Sequence, residues 1–287
     1  MKESSTKNSN QNSKFKDTME NRIFEFEKAK IFDKDVLDDP EGRLLKPDEV
    51  DYLQKKLSSK IKAGIANLFA VCYFENLIKK NELIIKEVTG QENYKEVAKS
   101  GVIVTSNHFH PFDNYAILKA IQKDMPHKRL YKIIKEGNYT SMTGLYGFFF
   151  RNCNTLPLSS SLETMRNFIK ATSTLLKRGE TILIYPEQSL WYNYKKPKPL
   201  KTGAFEIAVR NNVPVVPIFI TLSDSEKMGN DGYFIQEYSI HILKAIYPDP
   251  SKSYKDNVEY MKNTNYEAFK DTYEKVYGVP LKYIGEE

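Results

Sequence analysis

From Gly101 onward, short apolar runs alternate with helical stretches, and this alternation restricts the possible fold more than any other feature of the sequence. The predicted strands cover residues 102–105, 129–134, 181–185 and 213–222. The predicted helices cover residues 116–122, 162–177 and 204–211. Residues 234–246 read as a late edge strand, and residues 253–277 as a polar C-terminal helix. This order predicts an α/β fold with a mostly parallel sheet that is flanked by helices.

The part of the chain before this alternation has a different composition. Residues 1–16 are rich in Ser, Asn and Lys and contain almost nothing to bury, so they are expected to be a disordered tail. Residues 17–86 are predicted to form a helical N-terminal region, with a second helix that opens at Pro47. The α/β domain is then expected to occupy residues 87–287.

One helix of the N-terminal region carries information about the cellular setting. Apolar residues recur at three- and four-residue spacing over 61–78, and lysines flank the stretch on both sides. Such a helix either packs on the core or lies in a membrane interface, and the periodicity is compatible with both. The longest uncharged apolar run, residues 63–74, has 12 residues, whereas a spanning helix needs about 20. The sequence therefore predicts attachment to a membrane surface and no integral span.

Composition excludes several classes of protein. The chain carries 43 Lys and Arg against 37 Asp and Glu, a net charge of +6, which favours an anionic surface without predicting nucleic-acid binding. The two cysteines, Cys72 and Cys153, cannot form a disulfide framework and indicate a reducing compartment. The first twenty residues lack the apolar segment of a signal peptide. A cytoplasmic protein is expected, and the Lys-, Asn- and Ile-rich composition suggests a bacterial source.

The first candidate catalytic residues lie where the strand over 102–105 ends. Asn107 and His108 follow this strand, and Pro111 opens a helix that carries Asp113 in its first turn. A helical turn can fold Asp113 back onto His108, where a carboxylate would fix the imidazole tautomer and leave the second ring nitrogen as a general base. The spacing is equally compatible with a loop histidine beside an aspartate that caps the helix.

A metal site is the second interpretation of the same segment. His108, His110 and Asp113 resemble a fragment of the ligand set of binuclear metallohydrolases, although Asp113 stands one residue late for that pattern. Asn114 stands where a second-metal histidine would be needed, and only His127 and His241 remain to complete a set. These departures argue against a metal site in this segment.

Three further blocks follow the histidine block in order. Gly147, Phe150 and Arg151 place an arginine after an aromatic run. Pro186 and Glu187 follow the strand over 181–185. Val213, Pro214 and Pro217 open the strand over 213–222. With Asn107, His108 and Asp113, this order over residues 85–225 resembles the glycerolipid acyltransferase family, whose best-known members are the 1-acyl-glycerol-3-phosphate acyltransferases.

The third block departs from the family pattern. Gln188, Ser189 and Leu190 stand where the family has Gly, Thr and Arg, and that arginine is credited with holding the phosphate of the acceptor. A leucine cannot do so. Four lysines of the following loop are candidates to replace it, namely Lys195, Lys196, Lys198 and Lys201. The alternative is that these lysines contact only lipid head groups or solvent.

The resemblance implies an O-acyltransferase that moves a fatty acyl group from acyl-carrier protein or coenzyme A to the free hydroxyl of a lysophospholipid. The first acceptor to consider is 1-acyl-sn-glycerol-3-phosphate, whose product is phosphatidic acid. His108 would act as general base, and Asp113 would orient it. Arg151 would bind the acceptor phosphate and Glu187 a hydroxyl, unless these two form a structural salt bridge. Asn107, Gln188 and Ser189 are also expected to contact substrate.

The implied partners are an acyl thioester, a lysophospholipid and an anionic membrane surface, which places the protein on the inner face of the cell membrane. No cofactor is expected beyond the thioester co-substrate. Three alternatives remain open at this point. The acceptor could be another lipid or glycolipid hydroxyl, the protein could be a metallohydrolase, or it could bind lipid without catalysis. Retention of both His108 and Asp113 argues against the last.

Overall fold

The computed structural model describes residues 2–38, 41–125 and 128–286. The strands are β1 Ile84–Thr89, β2 Val102–Ser106, β3 Leu130–Ile134, β4 Thr155–Pro157, β5 Thr181–Ile184, β6 Val215–Met228 and β7 Phe234–Ile242. The helices are α1 Lys2–Lys28, α2 Leu57–Lys79, α3 Gln91–Val97, α4 Asp113–Ile121, α5 Glu136–Thr140, α6 Gly144–Asn152, α7 Leu162–Lys177, α8 Gly203–Asn211 and α9 Tyr254–Tyr277. A 3-10 helix, Gln122–Asp124, follows α4.

These strands form a seven-stranded sheet in the order β1-β7-β6-β2-β5-β3-β4. The five strands from β6 to β4 run parallel to one another, whereas β7 is antiparallel to β6 and parallel to β1. The sheet is therefore mostly parallel with helices on both faces, which confirms the predicted fold class. Successive residues of a strand point to opposite faces of the sheet, so the side chains of one strand pack against the helices on both faces.

Two hydrophobic clusters cover the faces of the sheet. Val104 belongs to a cluster that includes residues of α2, α3 and α4. Its neighbour Ile103 belongs to a second cluster that includes residues of α7, α8 and α9. All five residues of β2 are buried, as expected for a central parallel strand between two helical layers.

The edge of the sheet differs from the prediction. β7 was expected to be an edge strand, but it lies between β1 and β6. β1 is the outermost strand on this side of the sheet. The predicted domain boundary between residues 86 and 87 falls within β1. Lys86 and Glu87 are exposed there, so β1 lacks the continuous apolar run that identified the central strands.

The N-terminal region also differs from the prediction. Helix α1 begins at Lys2, within the segment expected to be disordered, and Met1 lies outside the described residues. No Pro or Gly interrupts residues 2–28, so the helix can extend through polar residues. The second helix begins at Leu57 and not at Pro47, because the Asp51 carboxylate accepts hydrogen bonds from the backbone N–H groups of Lys55 and Lys56 and holds a turn there.

Residues 32–37, which we call the N-terminal strap, pack with α1 against the loop that follows β5. Trp191 of that loop is fully buried and stacks on Phe32, with ring centroids 5.5 Å apart. Its indole Nε1 donates to the carbonyl oxygen of Lys34 at 2.8 Å, and Val36 N donates to the Leu190 carbonyl oxygen at 3.2 Å. The N-terminal region therefore packs directly against the loop that follows β5.

Helix α2 has one buried side and one exposed side. Ala63, Ala66, Phe74 and Leu77 are buried against the domain. Large apolar side chains on the other side are exposed, namely Leu57, Ile61, Ile65, Leu68, Phe69 and Val71. By length and composition alone, α2 is the one helix in the described ranges that could cross a membrane. The sequence expectation of no such helix counted only the uninterrupted apolar run and overlooked the apolar character of the whole 23-residue helix.

Candidate active site

Two adjacent parallel strands bring the predicted residues to one edge of the sheet. Thr105 of β2 is paired with Ile184 of β5, so the loops that follow these strands lie side by side. The first loop carries His108 and leads to Asp113 at the start of α4, and the second carries Glu187. Open α/β sheets place ligands at this edge, where the strands end at their carboxyl termini.

The structure brings His108 and Asp113 into contact, as their spacing predicted. His108 Nδ1 lies 2.7 Å from Asp113 Oδ2, and the Asp113 side chain is completely buried. The backbone N–H groups of Phe109 and His110 donate to the same oxygen at 3.2 and 3.4 Å. Because an ionised carboxylate only accepts hydrogen bonds, His108 carries its proton on Nδ1. Its Nε2 has no hydrogen-bond partner within the described residues and is chemically suited to accept a proton.

Tyr185 is a third member of this group that the sequence analysis did not identify. Its hydroxyl donates to Asp113 Oδ1 at 2.5 Å. Its ring stacks on the His108 imidazole with centroids 3.9 Å apart and an interplanar angle of 14°. Burial, with the Asp113 charge as a second cause, raises the pKa of Tyr185 well above its usual value, so the hydroxyl remains a donor. Its position directly before Pro186 and Glu187 was the available signal.

His110 is held as a neutral ring. Its Nδ1 accepts from the backbone N–H of Phe112 at 3.2 Å, and its Nε2 lies 3.1 Å from the Tyr192 hydroxyl, which itself donates to Asp231. Burial lowers the pKa of His110 to about 4, so it is uncharged at neutral pH. No group of three His, Cys, Asp or Glu side chains in the described ranges could hold a metal ion, and His127 lies outside those ranges.

Glu187 and Lys198 form an ion pair in the interior. Glu187 Oε2 is 3.2 Å from Lys198 Nζ, and both side chains are only 1% exposed. The same carboxylate accepts from the backbone N–H of His108 at 3.2 Å and from that of Lys198 at 3.0 Å. Lys198 Nζ also donates to the Ser189 carbonyl oxygen at 2.8 Å. Glu187 thus joins the histidine loop to the loop after β5. It pairs with Lys198, so the alternative of a structural salt bridge between Glu187 and Arg151 is wrong.

The other three lysines of the predicted phosphate site also contact side chains of the protein. Lys196 Nζ contacts Glu27 Oε1 of α1 at 2.6 Å, and Lys201 Nζ contacts Asp33 Oδ2 of the strap at 2.9 Å. Lys195 is exposed, with its ammonium 5.9 Å from the centre of the Tyr277 ring. Of the four lysines, only Lys201 lines the main cavity. The prediction that one of them stands in for the missing arginine is therefore restricted to Lys201.

The side chains of Arg151 and Asn107 form hydrogen bonds with backbone groups. Arg151 donates to the carbonyl oxygens of Tyr139 and Met142 at 3.2 and 2.9 Å. Gly147 permits this arrangement, since a Cβ at that position would meet the Met142 oxygen at 2.1 Å. Asn107 is buried and exchanges two hydrogen bonds of 2.9 Å with the backbone of Ile220 in β6. In this structure Asn107 fixes the strand end and does not line the main cavity.

The remaining residues of the third block lie beside the strap. Ser189 is buried and donates to the Phe32 carbonyl oxygen at 2.6 Å, so its hydroxyl is already used. Gln188 is exposed, lines the cavity and has a φ of +60°, in the left-handed region that favours glycine. Leu190 is buried in a cluster with Met19, Val36 and Trp191.

A cavity of about 1250 Å³ adjoins these loops. Its apolar lining includes Phe74 of α2, Phe149 and Phe150 of α6, and Tyr115 of α4. Its polar lining includes His108 together with Asp33, Asp35, Lys135, Asn138, Asn193 and Lys201. A basic histidine beside a large cavity with apolar and charged walls is the arrangement expected of an enzyme that acts on an amphipathic substrate.

Comparison with known proteins agrees with this class. Residues 86–221 match the model of the Acyltransferase family. The structure is similar to that of the 1-acyl-sn-glycerophosphate (LPA) acyltransferase PlsC from Thermotoga maritima, with a TM-score of 0.51 and 18% identity over 80% of this chain and 87% of that chain. No curated protein sequence matches. The matched residues identify an acyltransferase domain in this chain, in agreement with the family that the sequence blocks resemble.

The Glu187–Lys198 pair gives a stability prediction. Substituting Lys198→Met leaves a carboxylate buried without its cation, so we expect the free energy of unfolding to fall by about 3–5 kcal/mol. Lys195→Met removes the same charge from an exposed site of the same loop, and we expect a change within about 0.5 kcal/mol. Urea denaturation of both variants measures the difference. Equal stability of the two variants would contradict a structural role for the pair.

Proposed function

We propose that this protein transfers a fatty acyl group from acyl-carrier protein or acyl-coenzyme A to the free hydroxyl of a lysophospholipid. The observation that carries the proposal is the His108–Asp113–Tyr185 group beside the large, partly apolar cavity, within the matched acyltransferase domain. The apolar part of the cavity suits acyl chains, and the charged part suits a polar head group.

The proposed reaction needs one base and no acyl-enzyme. His108 Nε2 takes the proton of the acceptor hydroxyl while the oxygen attacks the thioester carbonyl carbon. Asp113 stabilises the imidazolium that forms, because its Oδ2 already contacts Nδ1. When the tetrahedral intermediate collapses, the carbon–sulfur bond breaks and the proton passes from Nε2 to the leaving thiolate. The products are an ester and a free thiol.

Cys153 does not suit the role of an alternative nucleophile. Its side chain is buried and packs with Ala66 of α2 and Phe149 of α6. Burial raises the pKa of the Cys153 thiol, so the reactive thiolate is disfavoured.

The exposed side of α2 supports docking on a membrane surface. Helix α6 lies beside α2, with the Tyr73 and Tyr146 hydroxyls 3.2 Å apart, and Leu145 and Tyr146 of α6 are also exposed. Lysines at both ends of the helix favour anionic lipid. Because the opposite side of α2 packs on the domain, we propose that the helix lies in the interface and does not span the bilayer. The inner face of the cell membrane is the proposed location.

The role of His108 can be tested directly. We expect His108→Ala to lower kcat for acyl transfer to lysophospholipid by between about 100-fold and 10,000-fold, because the general base is lost. The matched control is His241→Ala, since His241 of β7 bonds Thr89 of β1 and Thr221 of β6 and does not line the cavity. Thioester consumption with both donors gives the rates. Full activity of His108→Ala would overturn the mechanism.

Tyr185 gives a second, more specific test. Tyr185→Phe keeps the ring stack and removes the hydrogen bond to Asp113, so the carboxylate attracts the proton of His108 more strongly. We expect kcat to fall by about tenfold and the acidic limb of the pH–rate profile to move to higher pH. The control is Tyr247→Phe, an exposed tyrosine outside the cavity lining. An unchanged pH profile would show that Tyr185 only fills space.

Membrane docking predicts a third result. Replacing Leu68 and Phe69 together by Glu should reduce binding to vesicles that contain anionic lipid by about 100-fold, because two inserted apolar side chains are lost. The control replaces Leu162 and Val276, exposed apolar residues of α7 and α9, by Glu. Vesicle co-sedimentation measures both variants. Equal loss in the two would indicate a general effect of charge and not docking through α2.

A further inference from the structure

The strap places two carboxylates at the charged part of the cavity. Asp33 and Asp35 both line it, and each forms an ion pair with a lysine that also lines it. Asp33 Oδ2 lies 2.9 Å from Lys201 Nζ, and Asp35 Oδ2 contacts Lys135 Nζ. Lys135 and Lys201 are therefore each balanced by an acid in this part of the cavity.

Asp35 also binds the backbone of Leu190, which stands where the family has an arginine. Its Oδ1 accepts from the backbone N–H of Leu190 at 2.6 Å, and Leu190 stands where the family has its phosphate-holding arginine. A phosphate monoester carries close to two negative charges at neutral pH and needs an excess of cationic donors. Here a leucine replaces the arginine and the Asp35 carboxylate lies beside its backbone, so such a head group would meet like charge.

The charges in this part of the cavity cancel. Asp33 and Asp35 carry two negative charges, Lys135 and Lys201 carry two positive ones, and each carboxylate contacts one ammonium. A phosphate dianion would add uncompensated negative charge here, whereas a zwitterionic head group brings one charge of each sign and leaves the total unchanged.

We propose that this part of the cavity binds a lysolipid with a zwitterionic head group, whose ammonium is received by Asp33 and Asp35 and whose anionic group is received by Lys135 and Lys201. Each lysine–aspartate pair then exchanges one internal ion pair for two with the ligand, so charge remains balanced. The inference rests on the proposed acyl-transfer function and names its acceptor class.

The test compares acceptors that differ only in the head group. Purified full-length protein is assayed with acyl-coenzyme A and with acyl-carrier protein. The acceptors are lysophosphatidylethanolamine, lysophosphatidylglycerol and 1-acyl-sn-glycerol-3-phosphate, presented in the same neutral mixed micelles. We expect kcat/KM for the ethanolamine lipid to exceed that for each of the other two by about tenfold or more. Lysophosphatidylglycerol separates the effect of the ammonium from that of a bulkier phosphodiester.

A variant pair supplies the second arm. The double substitution Asp33→Asn and Asp35→Asn preserves the oxygen that accepts from Leu190 N and removes both charges. We expect it to lower kcat/KM for the ethanolamine lipid by about tenfold and to raise it for the phosphate monoester by a similar factor. Asp38→Asn is the matched control, since Asp38 is an exposed acid that pairs with Arg22 and lies outside the cavity lining.

The outcomes distinguish the two proposals. Preference for 1-acyl-sn-glycerol-3-phosphate or lysophosphatidylglycerol, or equal use of all three acceptors, would overturn the zwitterionic assignment and leave acyl transfer intact. An unchanged ranking in the Asp33 and Asp35 double variant would also overturn it. Absence of transfer from either thioester to any acceptor would overturn the proposed function itself, and with it this assignment.

Discussion

The carboxylate of Glu187 is the contact on which the geometry of the site depends. It accepts from the His108 backbone and pairs with Lys198, and almost none of either side chain reaches solvent. An ion pair withdrawn from water is costly unless its hydrogen bonds are satisfied, and here both partners have further bonds to backbone. The pair therefore acts as a cross-link between two loops that sheet pairing alone brings only near each other.

The N-terminal region completes the site as a third segment. The strap binds the loop after β5 through Trp191, Leu190 and Ser189, and it contributes Asp33 and Asp35 to the cavity. Helix α1 supports the same loop through Glu27 and Lys196. The region before the sheet thus does two kinds of work. Its α2 helix exposes an apolar face, while its strap contributes two carboxylates to the charged part of the cavity.

The sequence predicted those parts of the site that depend on local geometry. His108 and Asp113 are five residues apart across a strand end and a helix start, so their contact follows from chain geometry. The partners of Asn107, Lys196 and Lys201 lie more than a hundred residues away in the chain, at Ile220, Glu27 and Asp33. No periodicity or motif encodes such pairings. Strand β1 was missed because its exposed lysine and glutamate hide a strand pattern at the sheet edge.

The departures in the third block are physically coupled and not independent. Leu190 is buried with Met19, Val36 and Trp191, so an arginine there would place a cation in an apolar cluster. The strap can lie against this loop because a leucine side chain packs into that cluster while its backbone N–H bonds Asp35. Gln188 adopts a left-handed backbone, which costs a residue with a Cβ some conformational energy and maintains the turn that presents Leu190 to the strap. The apolar packing of Leu190 and the bond from its backbone N–H to Asp35 thus belong to one arrangement, in which the loop after β5 and the strap hold each other and both strap carboxylates line the cavity.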